Sequence, residues 1–236
     1  MNHNDYKVFN ELPLSAINPL GWPKKYLQTQ AEGLTGHLEH AGFPFDSIGW
    51  DRYDINTSDL NDNPEWWVYE QTAYWLDGME RCGELLKDKT LIDKATKSFQ
   101  YVLENIDSDG YMGPKLLKKT SGWERWPHVV FFRALMARYS ATGDVTIVER
   151  ITDFYLKNKT DFSGARDVMN IEIMLWAYGI SGKRELLELA EKTYSDYNNK
   201  CSDDNCVASL KSSRKPYAHG VTYNEFCKLG AILYIL

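Results

Sequence analysis

Residues 132–155 have the sequence FRALMARYSATGDVTIVERITDFY, which predicts two helices joined by a tight turn. On each side of the turn, apolar side chains recur at spacings of three, four or seven residues, as they do along one face of an α-helix. They are Phe132, Leu135, Met136 and Tyr139 before the turn, and Ile147, Ile151, Phe154 and Tyr155 after it. Gly143 lies between the two series, where a helix commonly ends in the left-handed conformation that glycine adopts without steric cost. The stretch is therefore interpreted as a helical hairpin.

The same pattern occurs in residues 75–102 and again in residues 171–197. A turn glycine, Gly182, follows Gly143 by 39 positions, and Tyr178 follows Tyr139 by the same interval. Strand-like alternation of apolar and polar residues is nearly absent. These repeats predict an all-α protein assembled from helical hairpins.

Two architectures accommodate such hairpins, an open α-solenoid and a closed toroid. Solenoid repeats usually have short and even connections. Here the connections at 42–63 and 107–125 are long, uneven and rich in Trp, Asp and Gly, which is typical of loops that build a site. They favour the toroid.

Composition restricts the partners of the chain, which has 236 residues and a net charge of −6. The acidic balance argues against a nucleic-acid partner, which would need a basic face. No stretch approaches the roughly 18–20 uninterrupted apolar residues of a membrane span. Residues 1–10 are expected to form a polar tail without the apolar core of a signal peptide, which favours the cytoplasm unless a leader has been removed.

Aromatic residues make up 14% of the chain. Several of them form clusters beside acidic residues and turn signals, and Trp and Tyr supply the broad apolar faces that suit the C–H faces of sugar rings. Trp67, Tyr69 and Trp75 are candidates for such stacking, or alternatively for the core. Because helical spacing cannot place all three on one face, some of them are expected to point toward a pocket.

Cys201 and Cys206 are separated by a short polar segment. The spacing is compatible with a small disulfide, with a contribution to a metal site, or with two unpaired thiols. With Cys82 and Cys227 the chain has four cysteines, too few for a disulfide scaffold.

The C-terminal segment has an apolar helical pattern formed by Phe226, Leu229, Leu233 and Leu236. The earlier hairpins continue with a turn and a second helix, whereas here the chain stops two residues after Tyr234. We therefore expect a truncated chain, about half of a complete toroid. An apolar helix without its partner also predicts self-association.

Several short motifs resemble the β-L-arabinofuranosidase family of glycoside hydrolases. They are LPLSAI (12–17), PLGW (19–22), GLTGHL (33–38), YWLDG (74–78), DGYMGP (109–114) and HGV (219–221). The resemblance extends over residues 11–236 and rests on the order and joint occurrence of these motifs. It implies that residues 11–236 form the N-terminal half of an (α/α)6-barrel catalytic domain. The implied activity is retaining release of terminal L-arabinofuranose, or a related sugar, from plant glycans.

The resemblance also implies where the chemistry lies. In the family's characterised branch, a cysteine nucleophile sits on a zinc held by three cysteines and a glutamate, and a second glutamate is the acid/base. Those motifs are expected beyond Leu236, so no catalytic residue and no metal ligand is assigned to this chain. Zinc is expected only in a complete family enzyme, and the chain alone is predicted to be inactive.

Part of the sugar-binding wall is implied to remain. His128 and His219 resemble sugar-contacting positions, while a third such histidine is replaced near Val168, which leaves the identity of the sugar open. Many members carry Asn-x-Glu just downstream, which matches Asn170 and Glu172 here.

Glu70, Asp77 and Glu172 are carboxylates within otherwise apolar helical segments. Burying a carboxylate is costly unless it is paired or serves a function, so these three are candidates for hydrogen bonding to substrate. The alternative is helix capping or ion pairing with three arginines of the chain. Those arginines are Arg81, Arg133 and Arg166.

His37 and His40 lie on one early helix, three residues apart. The spacing is compatible with metal binding, but the sequence offers no evident third ligand.

Three functions remain open at this stage. The first is a glycosidase, or part of one, that binds an arabinose-containing glycan. The second is a polysaccharide-lyase-like toroid that abstracts protons with Tyr, His or Asn. The third is a non-catalytic helical scaffold that binds a protein, which an apolar concave face without a sugar-sized pocket would favour.

Overall fold

The computed structural model of the protein describes residues 11–51, 66–118, 125–200, 206–212 and 219–235. In these ranges the chain forms helices and loops and contains no strand, which confirms the all-α prediction. The α-helices are α1 (Gly21–Glu32), α2 (Leu34–His37), α3 (Trp66–Leu86), α4 (Lys89–Glu104), α5 (Trp126–Thr142), α6 (Val145–Lys157), α7 (Asn170–Ser181), α8 (Arg184–Lys200), α9 (Val207–Leu210) and α10 (Gly220–Ile235). Short 3₁₀ helices span Leu14–Ala16, Leu38–Ala41, Lys115–Lys118 and Arg166–Met169.

The predicted hairpin turns have the expected geometry. Gly143 and Gly182 adopt φ values of 70° and 68°, and each N–H donates to a carbonyl four residues back. The turn between α3 and α4 uses Lys87 at φ 58°, a left-handed position without glycine. Asp88 and Asp144 then cap α4 and α6 by accepting hydrogen bonds from backbone N–H groups. The glycine C-caps are therefore confirmed.

The hairpins stack in two layers. The first helices of successive hairpins, α3, α5 and α7, pack side by side, and α10 continues this first layer beyond α7. The second helices, α4, α6 and α8, pack behind their partners, and α6 also contacts α8. Residues 126–132 of α5 are all buried, as expected for a helix covered on several sides. Closure of these layers into a toroid stays a prediction.

Aromatic residues fill the core at the N-terminal end of the first layer. Trp50, from the loop before α3, stacks on Phe131 with ring centroids 4.0 Å apart, and its indole N–H donates to the carbonyl of Tyr69 at 3.0 Å. Phe132 and Phe154 extend the cluster between α5 and α6. Much of the aromatic content thus serves packing.

The final helix, α10, is packed on one side. Phe226 and Leu229 are buried, and α10 contacts α7, whereas Tyr234 is 80% exposed. Self-association through this helix stays a prediction. Among the described residues, no helix is long and apolar enough to cross a membrane.

Of the cysteines, Cys82 and Cys227 are free thiols, and Cys206 is disulfide-bonded. Cys206 is therefore not an unpaired thiol, which was one of the alternatives for the Cys201–Cys206 segment. Cys201 lies outside the described residues.

Candidate functional site

The seven residues predicted to contact a ligand lie in different environments. They are His128, His219, Asn170, Glu172, Glu70, Trp67 and Asp77. The first of these, His128, is buried, as are Asn170 and Glu70. Glu172 and Asp77 are partly buried on helices of the first layer, and Trp67 and His219 are exposed. The structure therefore does not bring all of them together in one site.

His128 lies in the aromatic core. Its Nε2 is 3.0 Å from the carbonyl oxygen of Met112, and its ring packs against Trp50 and Phe154. Burial, with a smaller contribution from Arg125, holds the pKa of His128 well below its usual value. The imidazole is therefore neutral and donates from Nε2 to Met112, which leaves an unprotonated Nδ1 that needs no acceptor. With no exposed surface, His128 is not included in the site described below.

Asn170 is also fully buried, at the start of α7. Its Oδ1 accepts a hydrogen bond from the Tyr155 hydroxyl at 2.8 Å. Its Nδ2 donates to the carbonyls of Asp167 and Arg125 at 2.8 Å and 3.3 Å. These bonds join α5, α6 and α7, so the amide acts as a structural crosslink rather than as part of a ligand-accessible surface.

Glu70 forms a sealed ion pair at the N-terminal end of the first layer. Its Oε1 accepts from the Arg166 guanidinium at 3.1 Å and from the Trp126 indole N–H. The guanidinium carbon lies 4.4 Å from the Trp126 ring centroid and 5.3 Å from that of Trp66. Aromatic rings therefore cover the pair, which joins α3, α5 and the segment before α7.

Two of the residues predicted to contact a ligand, Trp67 and His219, are exposed, and they contact different parts of the molecule. Trp67 makes an edge contact with Phe43 at 6.0 Å. His219 precedes α10, and its Nδ1 lies 3.3 Å from the Thr222 backbone nitrogen and 2.8 Å from the Thr222 hydroxyl. This is the geometry of a helix N-cap, so His219 has a structural role at this position.

Glu172 belongs to a charged network on a surface that we call the open face. This face consists of Asp77 and Arg81 of α3, Arg133 and Met136 of α5, Glu172 and Trp176 of α7, and Glu225 and Lys228 of α10. Each pair is three or four residues apart and therefore lies along one side of its helix. On another side of α5, Arg138 bonds to Thr96 of the second layer. The open face is thus turned away from α4.

Arg133 is the centre of the network. Its guanidinium donates to Glu172 and to Glu225, each at 2.6 Å. Lys228 Nζ lies 2.9 Å from Glu172 and 2.6 Å from Glu225, so two cations bridge the same two carboxylates. Asp77 and Arg81 form a neighbouring pair at 2.7 Å, and Arg81 also donates to the carbonyl of Arg133.

A cavity of about 700 Å³ opens beside this network. Its lining includes the charged side chains of Arg81, Arg133 and Glu172 and the aromatic side chains of Tyr139 and Trp176. The rings of Tyr139 and Trp176 meet edge to face at 5.5 Å, which fixes their orientation. Residues 11–13 and Ser15 close the cavity at the C-terminal end of α5.

The Glu225 carboxylate is held in its charged form. Partial burial raises the pKa of Glu225, but hydrogen bonds and charge attraction from Arg133 and Lys228 outweigh it and leave the pKa below its ordinary value. Burial lowers the pKa of Arg133, yet Glu172 and Glu225 raise it further than burial lowers it. The site is therefore a set of fixed donors and acceptors whose charges nearly balance.

Ion pairing, the alternative considered for the three carboxylates, is what the structure shows. Asp77 pairs with Arg81, Glu172 pairs with Arg133, and Glu70 pairs with Arg166. Trp176, Glu225 and Lys228 were not among the residues predicted from the sequence to contact a ligand. The signal that identifies them is their spacing of three or four residues on helices whose other faces are apolar.

The open face offers hydrogen-bond donors, acceptors and two aromatic rings around one cavity, in the part of the chain that the structure describes. Its chemistry suits a polar, uncharged ligand with an apolar face. That chemistry is the basis for assigning a function, because no family model, curated protein or solved structure matches this chain.

Proposed function

We propose that the open face is a carbohydrate-binding site and that the chain is a glycoside-hydrolase-like domain, resembling β-L-arabinofuranosidases. The ligand is a terminal L-arabinofuranose, or a related sugar, of a plant glycan. One observation carries the proposal: a single cavity of about 700 Å³ is lined both by the aromatic rings of Tyr139 and Trp176 and by the charged groups of Arg81, Arg133 and Glu172.

The size and lining of the cavity suit one or two sugar rings. Ligand pockets are commonly about 300–1,000 Å³ and combine apolar walls with a few fixed polar groups. Sugar hydroxyls donate to carboxylates such as Glu172 and accept from guanidinium groups such as Arg133. The C–H face of a sugar packs on an aromatic ring such as that of Trp176.

The same geometry favours binding over hydrolysis. A glycosidase needs one carboxyl group with a raised pKa as general acid and a second carboxylate as base or nucleophile. Arg133 and Lys228 hold the pKa of Glu225 below its ordinary value, and the same two cations form ion pairs with Glu172. Glu225 is therefore not suited to donate a proton, and Glu172 is engaged by two cations, so we expect binding without turnover.

The open face distinguishes this proposal from its alternatives. A protein-binding scaffold would be favoured by an apolar concave face, whereas charged side chains and a cavity occupy this one. A lyase-like base would need a residue that readily loses a proton. Tyr74 lies near the network, but burial, and after it the charge of Glu70, raise its pKa above the ordinary value. His128 and Asn170 are enclosed in the core.

Calorimetric titration with arabinose-containing oligosaccharides tests the proposal. Trp176→Ala removes one wall of the cavity and is expected to weaken binding about tenfold or more, which corresponds to ~1.4 kcal/mol. Trp22→Ala is the matched control, because Trp22 is 80% exposed on α1 and does not line the cavity. Its affinity should equal that of the wild type.

Two results would contradict the proposal. One is the absence of binding by the folded wild-type protein to the whole panel of arabinosides. The other is equal loss of affinity in the two tryptophan variants, which would place binding elsewhere. Turnover of an aryl β-L-arabinofuranoside by this chain would separately overturn the assignment of binding without hydrolysis.

A further inference from the structure

The turn after α1 brings two histidines into register. His37 ends α2 and precedes the 3₁₀ helix Leu38–Ala41, which contains His40. His37 is the N-cap of this 3₁₀ helix, and His40 is its third residue. The two imidazoles stack, with ring centroids 5.5 Å apart and an interplanar angle of 15°.

Glu39 adds a carboxylate to this pair. Ligand atoms of His37, Glu39 and His40 all lie within 4.8 Å of one another. One carboxylate oxygen, Oε1, accepts from Lys94 Nζ at 2.6 Å. The other, Oε2, is inaccessible to solvent and has no hydrogen-bond partner. A carboxylate oxygen that accepts no hydrogen bond is available to bind a metal ion.

Contacts to three helices fix the backbone of this turn. Gly36 packs so closely on α1 that an added Cβ would lie 1.9 Å from the carbonyl oxygen of Ala31. Lys94 Nζ of α4 donates to the Gly36 carbonyl at 2.6 Å. The Trp75 indole of α3 donates to the Thr35 carbonyl at 2.8 Å. The three potential ligands are thus presented by a turn that is already ordered.

We propose that His37, Glu39 and His40 form a binding site for a divalent transition metal, with Zn²⁺ as the preferred ion. Two imidazoles and one carboxylate are a common zinc ligand set, and three protein ligands leave a coordination position for water or an external ligand. Lys94 positions the carboxylate through Oε1, as hydrogen-bonding partners behind metal ligands commonly do.

The site is separate from the open face. Glu39 also lines a cavity of about 450 Å³, whose walls include Phe45, Trp75 and Asp46. A metal held by Glu39 would therefore border this second cavity. The zinc proposal does not depend on sugar binding, and either can fail without the other.

Zinc titration in competition with a chromophoric chelator tests the proposal. The protein is used without an affinity tag and with Cys227→Ser, which removes an exposed free thiol that would bind metal independently. We expect one equivalent of Zn²⁺ to bind. His37→Ala, His40→Ala and Glu39→Gln should each weaken binding about tenfold or more.

The matched control is His219→Asn, which removes the exposed histidine at α10 and keeps a side chain that caps helices. It should bind zinc as tightly as the reference protein. Circular dichroism establishes that each variant is folded.

Absence of zinc binding to the reference protein at about 100 µM metal would overturn the proposal. Unchanged affinity in the two histidine variants would place the metal elsewhere. Loss in the histidine variants with unchanged affinity in Glu39→Gln would refute the three-ligand site.

Discussion

Two glutamate–arginine pairs of this protein have the same chemistry and opposite surroundings. Glu70 and Arg166 have side chains that are 10% and 8% exposed, and tryptophan rings pack against the guanidinium. Glu172 and Arg133 have side chains that are 28% and 19% exposed and line a cavity. Both pairs link elements of the first layer.

The difference shows that a carboxylate in an apolar helix does not by itself indicate a ligand site. In the Glu70 pair, one carboxylate oxygen accepts from both Arg166 and Trp126 and aromatic rings cover the guanidinium, so its role is to join helices. The Glu172 pair is reached from a cavity and offers hydrogen bonds to an incoming molecule. Accessibility, more than residue type, separates the structural pair from the binding pair.

The largest expected effect comes from the sealed pair. Glu70→Gln removes the charge that offsets the buried Arg166 guanidinium, and we expect the free energy of unfolding to fall by about 3–5 kcal/mol. Chemical denaturation at neutral pH measures this loss. A loss below about 1 kcal/mol would show that the pair behaves like an exposed one, and the contrast between the two regions would disappear.

A third carboxylate, Glu80, is expected to have an intermediate effect on stability, and this effect depends on pH. Burial raises its pKa to about 7 from an ordinary value of 4.5, although Arg138 lies 3.3 Å away and opposes the shift. The folded state therefore binds the proton more tightly than the unfolded state. Stability from this group is present at acidic pH, falls as the pH rises from about 4.5 to about 7, and is constant above that.

Glu80→Gln isolates this contribution because glutamine does not titrate. The difference in unfolding free energy between wild type and Glu80→Gln should change by up to about 3 kcal/mol between pH 4.5 and pH 8. Denaturation curves of both proteins across this range measure it. Parallel pH profiles for the two proteins would contradict the assignment.

The smallest effect on stability is expected in the open pair. Glu172→Gln leaves Arg133 in contact with Glu225 and in reach of solvent, so the free energy of unfolding should fall by about 1 kcal/mol or less. Binding of an arabinoside should nevertheless weaken, because a ligand acceptor is lost. Denaturation and calorimetry on the same sample separate the two effects. A stability loss as large as that of Glu70→Gln would make the open pair structural as well.

Much of the fold could be predicted because its signals are local. The positions of the hairpins follow from apolar spacing, and the turns at Gly143 and Gly182 follow from the conformations that glycine allows. The turn at Lys87 reaches the same left-handed conformation without glycine, so its geometry was less evident from residue type. The candidate site was predicted only in part, since Glu172 and Asp77 lie on the open face while His128 and Asn170 lie in the core.

Local spacing alone identified the helices and their turns, because backbone hydrogen bonding and side-chain periodicity act over a few residues. Only the tertiary structure determined which pair is sealed and which is open. Glu70 and Arg166 are 96 residues apart, and Glu172 and Arg133 are 39 residues apart. Their exposure depends on how distant helices and loops pack, and a carboxylate and an arginine have the same identity in the sequence whether or not a tryptophan covers them.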